Sequence, residues 1–470
     1  MSTNTTFEEQ IEQQRKLVFA ENPTLKIVAP CTIGNGILQL SKNDIQQFVD
    51  FFRQVGKNIC FFIPASGSGS RMFEFLYDFL EEPNEGNRAQ VERFLNKIQS
   101  FAFFRQLPLK KQKEINDFQL SLREIVSYLL NKEGMGFGEL PKGLIPFHVL
   151  EPFILNPFQE HIIQGSRLPS DETAFHFTIQ PQFKDQFNLM VKQLNGLMGN
   201  QFKVSYSEQN KETDSIAFEE DRSVATTKGG IVLRRPAGHG ALLQNLQAIN
   251  SELVFVKNID NVQHFSKSEK SQQLWNALGG MLLTIKMELS LIKSTPSLDM
   301  LEQLNSKFEL FSKTEMESVR KNKNILDLIN RPIRVCGMVR NEGQPGGGPF
   351  MVEENGVVRK QIVEKAQIGS SSDQIDQMVK STHFNPVMMV LSYLQEDGTN
   401  YNLDEFSDDS KYFIVHKKQH GKNVRFMELP GLWNGAMANW ITIFVEIPNE
   451  TFSPVKTVLD LLNPSHNSAE

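Results

Sequence analysis

The run Asn58-Ile-Cys-Phe-Phe-Ile-Pro64 is apolar almost throughout, stops at a proline and is followed by Ala65-Ser-Gly-Ser-Gly-Ser-Arg-Met72. A short apolar run bounded by a Gly/Ser turn predicts a buried strand entering a tight loop, with the next helix over Arg71–Leu80. Ahead of it, residues 1–50 read as a polar helix, an extended piece at Leu25–Pro30 and a helix from about Asn43, capped by Ser41 or Asn43. In that last helix Ile45, Phe48, Phe51 and Phe52 recur at helical spacing and are expected in the core.

From about Glu82 to Gly138 the pattern is helical, with amphipathic segments near Arg88–Phe104 and Lys110–Asn131, and it reads as an inserted lobe. Residues 173–264 alternate between periods. Strands are predicted at Ala174–Ile179, Phe202–Ser207, Ile231–Arg234 and Leu253–Val256, and helices near Pro181–Leu197 and Gly240–Ile249. A long helical region, about Ser266–Leu328, precedes strands at Arg334–Val339 and Val357–Ile368, between which lies Gln344-Pro-Gly-Gly-Gly-Pro349. Strands at Tyr412–His416 and Ile441–Ile447 and a final helix after Pro454 complete the pattern. Strands alternating with helices predict an α/β layer architecture with a parallel or mixed sheet. Three blocks are expected: an N-terminal helical preface over 1–50, a main domain over 51–395 with helical insertions at about 82–138 and 266–328, and C-terminal strands and helix over 396–470 that complete the site.

Composition narrows the class. The 470 residues are 40% hydrophobic and 22% charged, as in ordinary globular domains, and the 36 phenylalanines supply bulky core filler. A formal charge of −6 argues against a nucleic-acid binder, although a local basic pocket is compatible with it. Cys31, Cys60 and Cys336 are far apart, so neither a disulfide framework nor a zinc site is expected, and a reducing cytoplasm fits. The N-terminus has no apolar core of a signal peptide, and the most hydrophobic stretch, around Leu278–Ile292, is interrupted by Lys286 and Glu288, so no membrane partner is expected.

Candidate chemistry starts from the glycine loop. Gly67 and Gly69 let the backbone approach a ligand, successive N–H groups can cradle phosphate oxygens, and Arg71 adds a fixed positive fork. Alone, such a loop also fits an ordinary strand-to-helix turn. Lys142, between Pro141 and Gly143, sits on a rigid loop. Asp260 ends an apolar strand, where an aspartate also serves as a turn or helix cap. No Walker-type Gly-x-x-x-x-Gly-Lys-[Ser/Thr] is present, Met72 stands where a dinucleotide-binding loop has its third glycine, and no Asp-x-Asp of a metal-dependent glycosyltransferase occurs.

Taken together, five phrases resemble those of sugar-1-phosphate nucleotidyltransferases of the UDP-sugar pyrophosphorylase type. They are Ala65-Ser-Gly-Ser-Gly-Ser-Arg-Met72, Pro141-Lys-Gly143, Pro236-Ala-Gly-His-Gly240 with Val256-Lys-Asn-Ile-Asp-Asn261, Gln361-Ile-Val-Glu-Lys365 and Phe452-Ser-Pro-Val-Lys456. The chain also resembles a bacterial group carrying an uncharacterised domain of the DUF4301 type. The resemblance implies a three-layer, Rossmann-like and GT-A-like mixed sheet with a helical lobe and a C-terminal α+β extension. It implies a nucleoside triphosphate and a sugar 1-phosphate as partners and Mg²⁺ as cofactor. Gly67, Ser68, Gly69 and Ser70 would hold the triphosphate, Arg71 the leaving pyrophosphate, and Lys142 the α-phosphate in the transition state. Gly238 and Gly240 would let the nucleobase stack on the backbone, with His239 or Gln209 reaching its edge; Glu364 would accept from the hydroxyls of the sugar, and Lys365 or Lys456 would contact its phosphate. Asp260 would bind the metal, with Asn385 or His383 at the second metal-side position, where no carboxylate occurs. A non-catalytic nucleotide-sugar sensor would keep the same pocket without turnover. Two departures stand out: the interval from Arg71 to Lys142 is long, and serines occupy positions 66 and 70.

Overall fold

The computed structural model describes residues 6–227, 229–343, 346–419 and 422–468. They form two units, each assembled from three stretches of chain. One, here the loop unit, comprises Val49–Glu208, Val254–Ala277 and Pro448–Glu470; the other, the cavity unit, comprises Met1–Phe48, Gln209–Leu253 and Leu278–Ile447.

In the loop unit, the apolar run forms the strand Asn58–Pro64, with Ile59 to Ile63 buried. It runs parallel to Glu172–Thr178, which runs parallel to Lys203–Ser207. On its other side is Leu253–Lys257, which enters this unit at Val254. A strand buried on both faces needs a continuous apolar sequence rather than an alternating one, and this one has it. Phe61 stacks on Phe175 at 5.4 Å and on Phe255 at 5.1 Å.

The inserted segment folds as helices Glu85–Leu95, Leu109–Asn116 and Leu122–Leu130. Most of its phenylalanines are core: Phe94, Phe101, Phe103 and Phe137 are buried, and Phe73 stacks on Phe137 at 5.6 Å, whereas Phe118 is exposed. The helix expected at Arg71–Leu80 is a 3₁₀ turn, Ser70–Phe73, followed by an α-helix, Glu74–Glu81.

The cavity unit contains five further strands of mixed direction. Its strands follow the order Thr32–Ile33, Gly36–Leu38, Ile441–Glu446, Ile333–Arg340, Met388–Ser392. Ile333–Arg340 is parallel to Ile441–Glu446 and antiparallel to Met388–Ser392. Two three-stranded antiparallel ribbons flank these strands in sequence, Lys26–Pro30 with Gly348–Glu354 and Val357–Val363, and Phe218–Glu219 with Lys422–Glu428 and Phe413–Gln419. The α/β class with mixed sheet is therefore as the pattern predicts.

Three local expectations fail. The strand expected over Val357–Ile368 stops at Val363, and Lys365–Gln367 is a 3₁₀ turn. After Pro454 there is no α-helix among the described residues, only the 3₁₀ turns Val458–Leu462 and Pro464–His466. Thr457 and Asp460 form a capping box that starts a turn, but Pro464, the first residue of the next turn, disfavours helix at Asn463, so the turn stops at Leu462. The strand expected at Ile231–Arg234 is reduced to Arg234–Arg235 plus a bridge from Val232 to Thr226, because Gly230 turns the chain at φ +76°. Of the glycine-rich loop 344–349, Gln344 and Pro345 lie outside the described residues.

Candidate functional site

The loop after Asn58–Pro64 is pinned at both ends. Ala65 N–H donates to the Thr178 carbonyl at 2.9 Å, and the Gln180 side chain donates to the Ser66 carbonyl at 2.6 Å. The loop is then laced to the lysine loop: Lys142 N–H donates to Gly67 O at 3.1 Å and Gly69 N–H to Leu140 O at 3.0 Å. This crossing explains Gly69, where a side chain would collide with Ile145 and come within 2.9 Å of Leu140 O. Gly67 has open space around it. The Ser68 hydroxyl donates to Ser70 Oγ at 3.0 Å and accepts from Ser70 N–H at 3.1 Å. Gly67 and Ser68 are exposed, and their N–H groups have no acceptor among the described residues. Two free N–H groups on adjacent exposed residues suit an anion.

Lys142 begins a 3₁₀ turn, Lys142–Leu144. Its ammonium lies 3.1 Å from Asp260 Oδ2 and 2.8 Å from the Val455 carbonyl. Lys456 reaches the same Asp260 oxygen at 3.0 Å. The turn bearing Asp260 and the segment bearing Lys456 are zipped together, by Val455 N–H to Asp260 O at 3.0 Å and Ser453 N–H to Asn261 Oδ1 at 3.0 Å. Arg71 is exposed and forms no ion pair among the described residues.

The charge balance of this cluster is positive. Burial pulls the Asp260 carboxyl upward, but Lys142 and Lys456 more than reverse it and hold its pKa below the ordinary aspartate value. Burial pulls Lys142 down, and although Asp260 opposes this, Lys456 and Arg71 add to it, so its ammonium is more acidic than usual. Both directions follow from one buried carboxylate surrounded by several cations.

Mg²⁺ does not fit this donor set. The ion needs oxygen ligands in near-octahedral geometry, whereas Asp260 Oδ2 already carries two ammonium groups. Among the described residues no three His, Cys, Asp or Glu side chains cluster as a metal site. Asn385 is in the cavity unit, where its Oδ1 accepts from Val387 N–H at 3.0 Å and so steadies Val387 at φ +58°. His383, the alternative, hydrogen-bonds through Nδ1 with Thr382 Oγ1 at 2.8 Å.

The other predicted residues belong to the cavity unit, and of them His239, Glu364 and Lys365 line a cavity of about 760 Å³, together with Ser381, His383 and Glu428. Gly238, at φ +74°, lies so close to Glu428 that a side chain would come within 2.7 Å of its Oε2. Gly240 abuts the Pro430 carbonyl, which leaves no room for a Cβ. His239 stacks on Trp433 at 4.4 Å and accepts Leu432 N–H on Nδ1 at 2.8 Å. Burial pushes its pKa down to about 4, so near neutral pH the ring is neutral with its proton on Nε2. Gln209 has a buried Nε2 with no hydrogen-bond partner among the described residues.

Glu364 follows the strand Val357–Val363; burial raises its pKa against hydrogen bonds from Asn434 and the Gly347 backbone. Glu428, which sequence reasoning missed, ends Lys422–Glu428, and burial raises its pKa against Lys417. The available signal was a glutamate closing a strand just before Leu429-Pro-Gly431. Also unforeseen is a buried chain in the loop unit: Glu160 to His148 at 2.8 Å, then His148 to His466 at 2.9 Å.

A family model described as "Domain of unknown function (DUF4301)" matches residues 1–467. No curated protein sequence matches. Among solved structures, an Entamoeba histolytica protein assigned as a UDP-N-acetylglucosamine pyrophosphorylase aligns at 14% identity, 93% of this chain, 84% of that chain and TM-score 0.47. A mutant Leishmania major UDP-glucose pyrophosphorylase in complex with UDP-glucose aligns at 12% identity, 96% and 74% coverage and TM-score 0.43. A Trypanosoma brucei UDP-glucose phosphorylase aligns at 11% identity, 94% and 69% coverage and TM-score 0.43. At these scores the likenesses assign no residue a role. Among the described residues no helix is long and apolar enough to cross a membrane.

Proposed function

Starting from a chain that belongs to the DUF4301 family, we propose that it is a nucleotidyltransferase that joins a nucleoside triphosphate and a sugar 1-phosphate into a nucleotide sugar. The observation that carries this reading is the meeting of Lys142 and Lys456 on Asp260, with the Lys142 backbone bonded to the exposed glycine loop. In the reaction an oxygen of the sugar phosphate attacks the α-phosphorus, the bond to the α,β-bridging oxygen breaks, and pyrophosphate leaves. That chemistry asks the protein for positioning and charge neutralisation.

The free N–H groups of Gly67 and Ser68 and the Arg71 fork take the triphosphate and the departing pyrophosphate. Lys142, held by the Val455 carbonyl, meets the charge that grows on the α-phosphate. Glu364 and Glu428 accept hydrogen bonds from hydroxyl groups, the role open to half-buried carboxylates in the wall of a largely apolar cavity. No step is routed through a metal, because Asp260 is engaged by lysines.

Pyrophosphate release across a panel of nucleoside triphosphates and sugar 1-phosphates, with and without Mg²⁺, tests the proposal. Turnover is expected for at least one pair, with Lys142→Ala losing about 100-fold or more. The specific observation favouring a non-catalytic sensor is the missing second carboxylate at the metal-side position. Tight nucleotide-sugar binding without turnover would establish that reading instead.

A further inference from the structure

In the loop unit the group that would neutralise phosphate charge is already in place, and it is a lysine. Lys142 and Lys456 both donate to one oxygen of Asp260, but they are not equivalent. Lys142 is 13% exposed and has a second acceptor in the Val455 carbonyl, so it is fixed; Lys456 is 59% exposed and Asp260 is its only acceptor among the described residues. The backbone on either side of Lys456 is held, by Val455 N–H to Asp260 O and by Lys456 N–H to Asp460 Oδ2. A flexible four-carbon stem on a fixed backbone lets an ammonium move from Asp260 to an incoming phosphate while its anchor stays still. A divalent cation on Asp260 would face two ammonium groups on the same carboxylate oxygen, and among the described residues no cluster of three His, Cys, Asp or Glu side chains offers further ligands. At such separations like charges repel strongly in a partly buried site.

We infer that the Lys142–Asp260–Lys456 cluster binds the phosphates of its substrate without a divalent cation, Lys456 supplying the charge neutralisation. This rests on the nucleotidyltransferase reading for the identity of the anion. The carboxylate then serves as a parking position that keeps two lysines close together when no phosphate is bound.

Calorimetric titration of the full chain with inorganic pyrophosphate, in EDTA and in MgCl₂, tests it. The dissociation constant is expected to agree within about threefold between the two conditions, and Lys456→Met to weaken it by about tenfold, one decade being 1.4 kcal/mol. Lys456→Arg retains binding. Asp260→Asn binds pyrophosphate in EDTA at least as tightly as the native chain, because it removes a competing negative charge; thermal melting confirms that each variant is folded. Binding that needs Mg²⁺, weakening by about thirtyfold or more in EDTA (about 2 kcal/mol), or that Asp260→Asn abolishes, would overturn the cation-free inference and leave the phosphate reading standing. Absence of binding in both conditions would overturn both.

Discussion

The two units carry opposite electrostatics. In the loop unit one carboxylate, Asp260, faces two lysines, and its pKa falls despite its burial. In the cavity unit two carboxylates, Glu364 and Glu428, line a largely apolar cavity and both pKa values rise, mainly through burial. Acidic residues alone therefore say little about chemistry; what surrounds each one decides whether it is a fixed counter-ion or a hydrogen-bond acceptor that desolvation has made basic. The first arrangement suits an anion, the second a ligand rich in hydroxyl groups.

The largest effect expected from breaking this contrast is on turnover. Lys142→Ala lowers pyrophosphate release by about 100-fold or more, whereas Glu428→Gln acts chiefly on the KM for the sugar phosphate, and steady-state kinetics separates the two. Next come the glycines. Gly69→Val forces a side chain against Ile145 and Leu140 O, and urea unfolding should show a loss of about 2 kcal/mol or more. Gly67→Ala, with open space around it, should leave stability within about 0.5 kcal/mol of native.

The smallest effect is the most diagnostic, because its sign differs between the units. The Asp260 carboxyl has a folded pKa below its unfolded value of about 3.9. Its stabilisation is complete above that value and disappears as pH falls through the folded pKa. Asp260→Asn thus lowers Tm at pH 7, and the deficit closes below about pH 4. Glu428 has a raised folded pKa, so its ionisation costs stability above that value, and the cost disappears below the unfolded glutamate pKa of about 4.3. Glu428→Gln raises Tm at neutral pH, and the gain vanishes in acid. Matching signs for the two variants would break the comparison.

The parts of the fold legible in the sequence were those written locally. Asn58–Pro64 is a strand at the bounds its apolar run suggests, and the helical insertion keeps its period because Val91, Phe94, Ile125 and Leu129 all turn into one core. Where elements stop was harder to read: Thr457 and Asp460 cap a start, but Pro464 comes too soon, and the expected final helix is only a 3₁₀ turn, Val458–Leu462. The candidate site was partly legible. The phrases around Gly67, Lys142, Asp260 and Lys456 stand out as motifs, and the loop unit brings them together. What the sequence hides is the bonding between them, since Lys142 and Lys456 reach Asp260 across 118 and 196 positions. An aspartate at a strand end reads as a metal ligand until the lysines beside it are known. Glu428 was hidden for a similar reason, because its neighbour Gly238 lies far away in sequence and only the folded cavity gives the pair meaning.

The central claim is that this chain moves a nucleotidyl group between pyrophosphate and a sugar phosphate. Its most direct test is the reverse reaction, with radiolabelled pyrophosphate and a panel of nucleotide sugars, following label into nucleoside triphosphate. Label is expected to enter the triphosphate from at least one nucleotide sugar with the native chain, and almost none with Lys142→Ala. No incorporation from any nucleotide sugar by a folded chain, or incorporation that Lys142→Ala leaves unchanged, would contradict it.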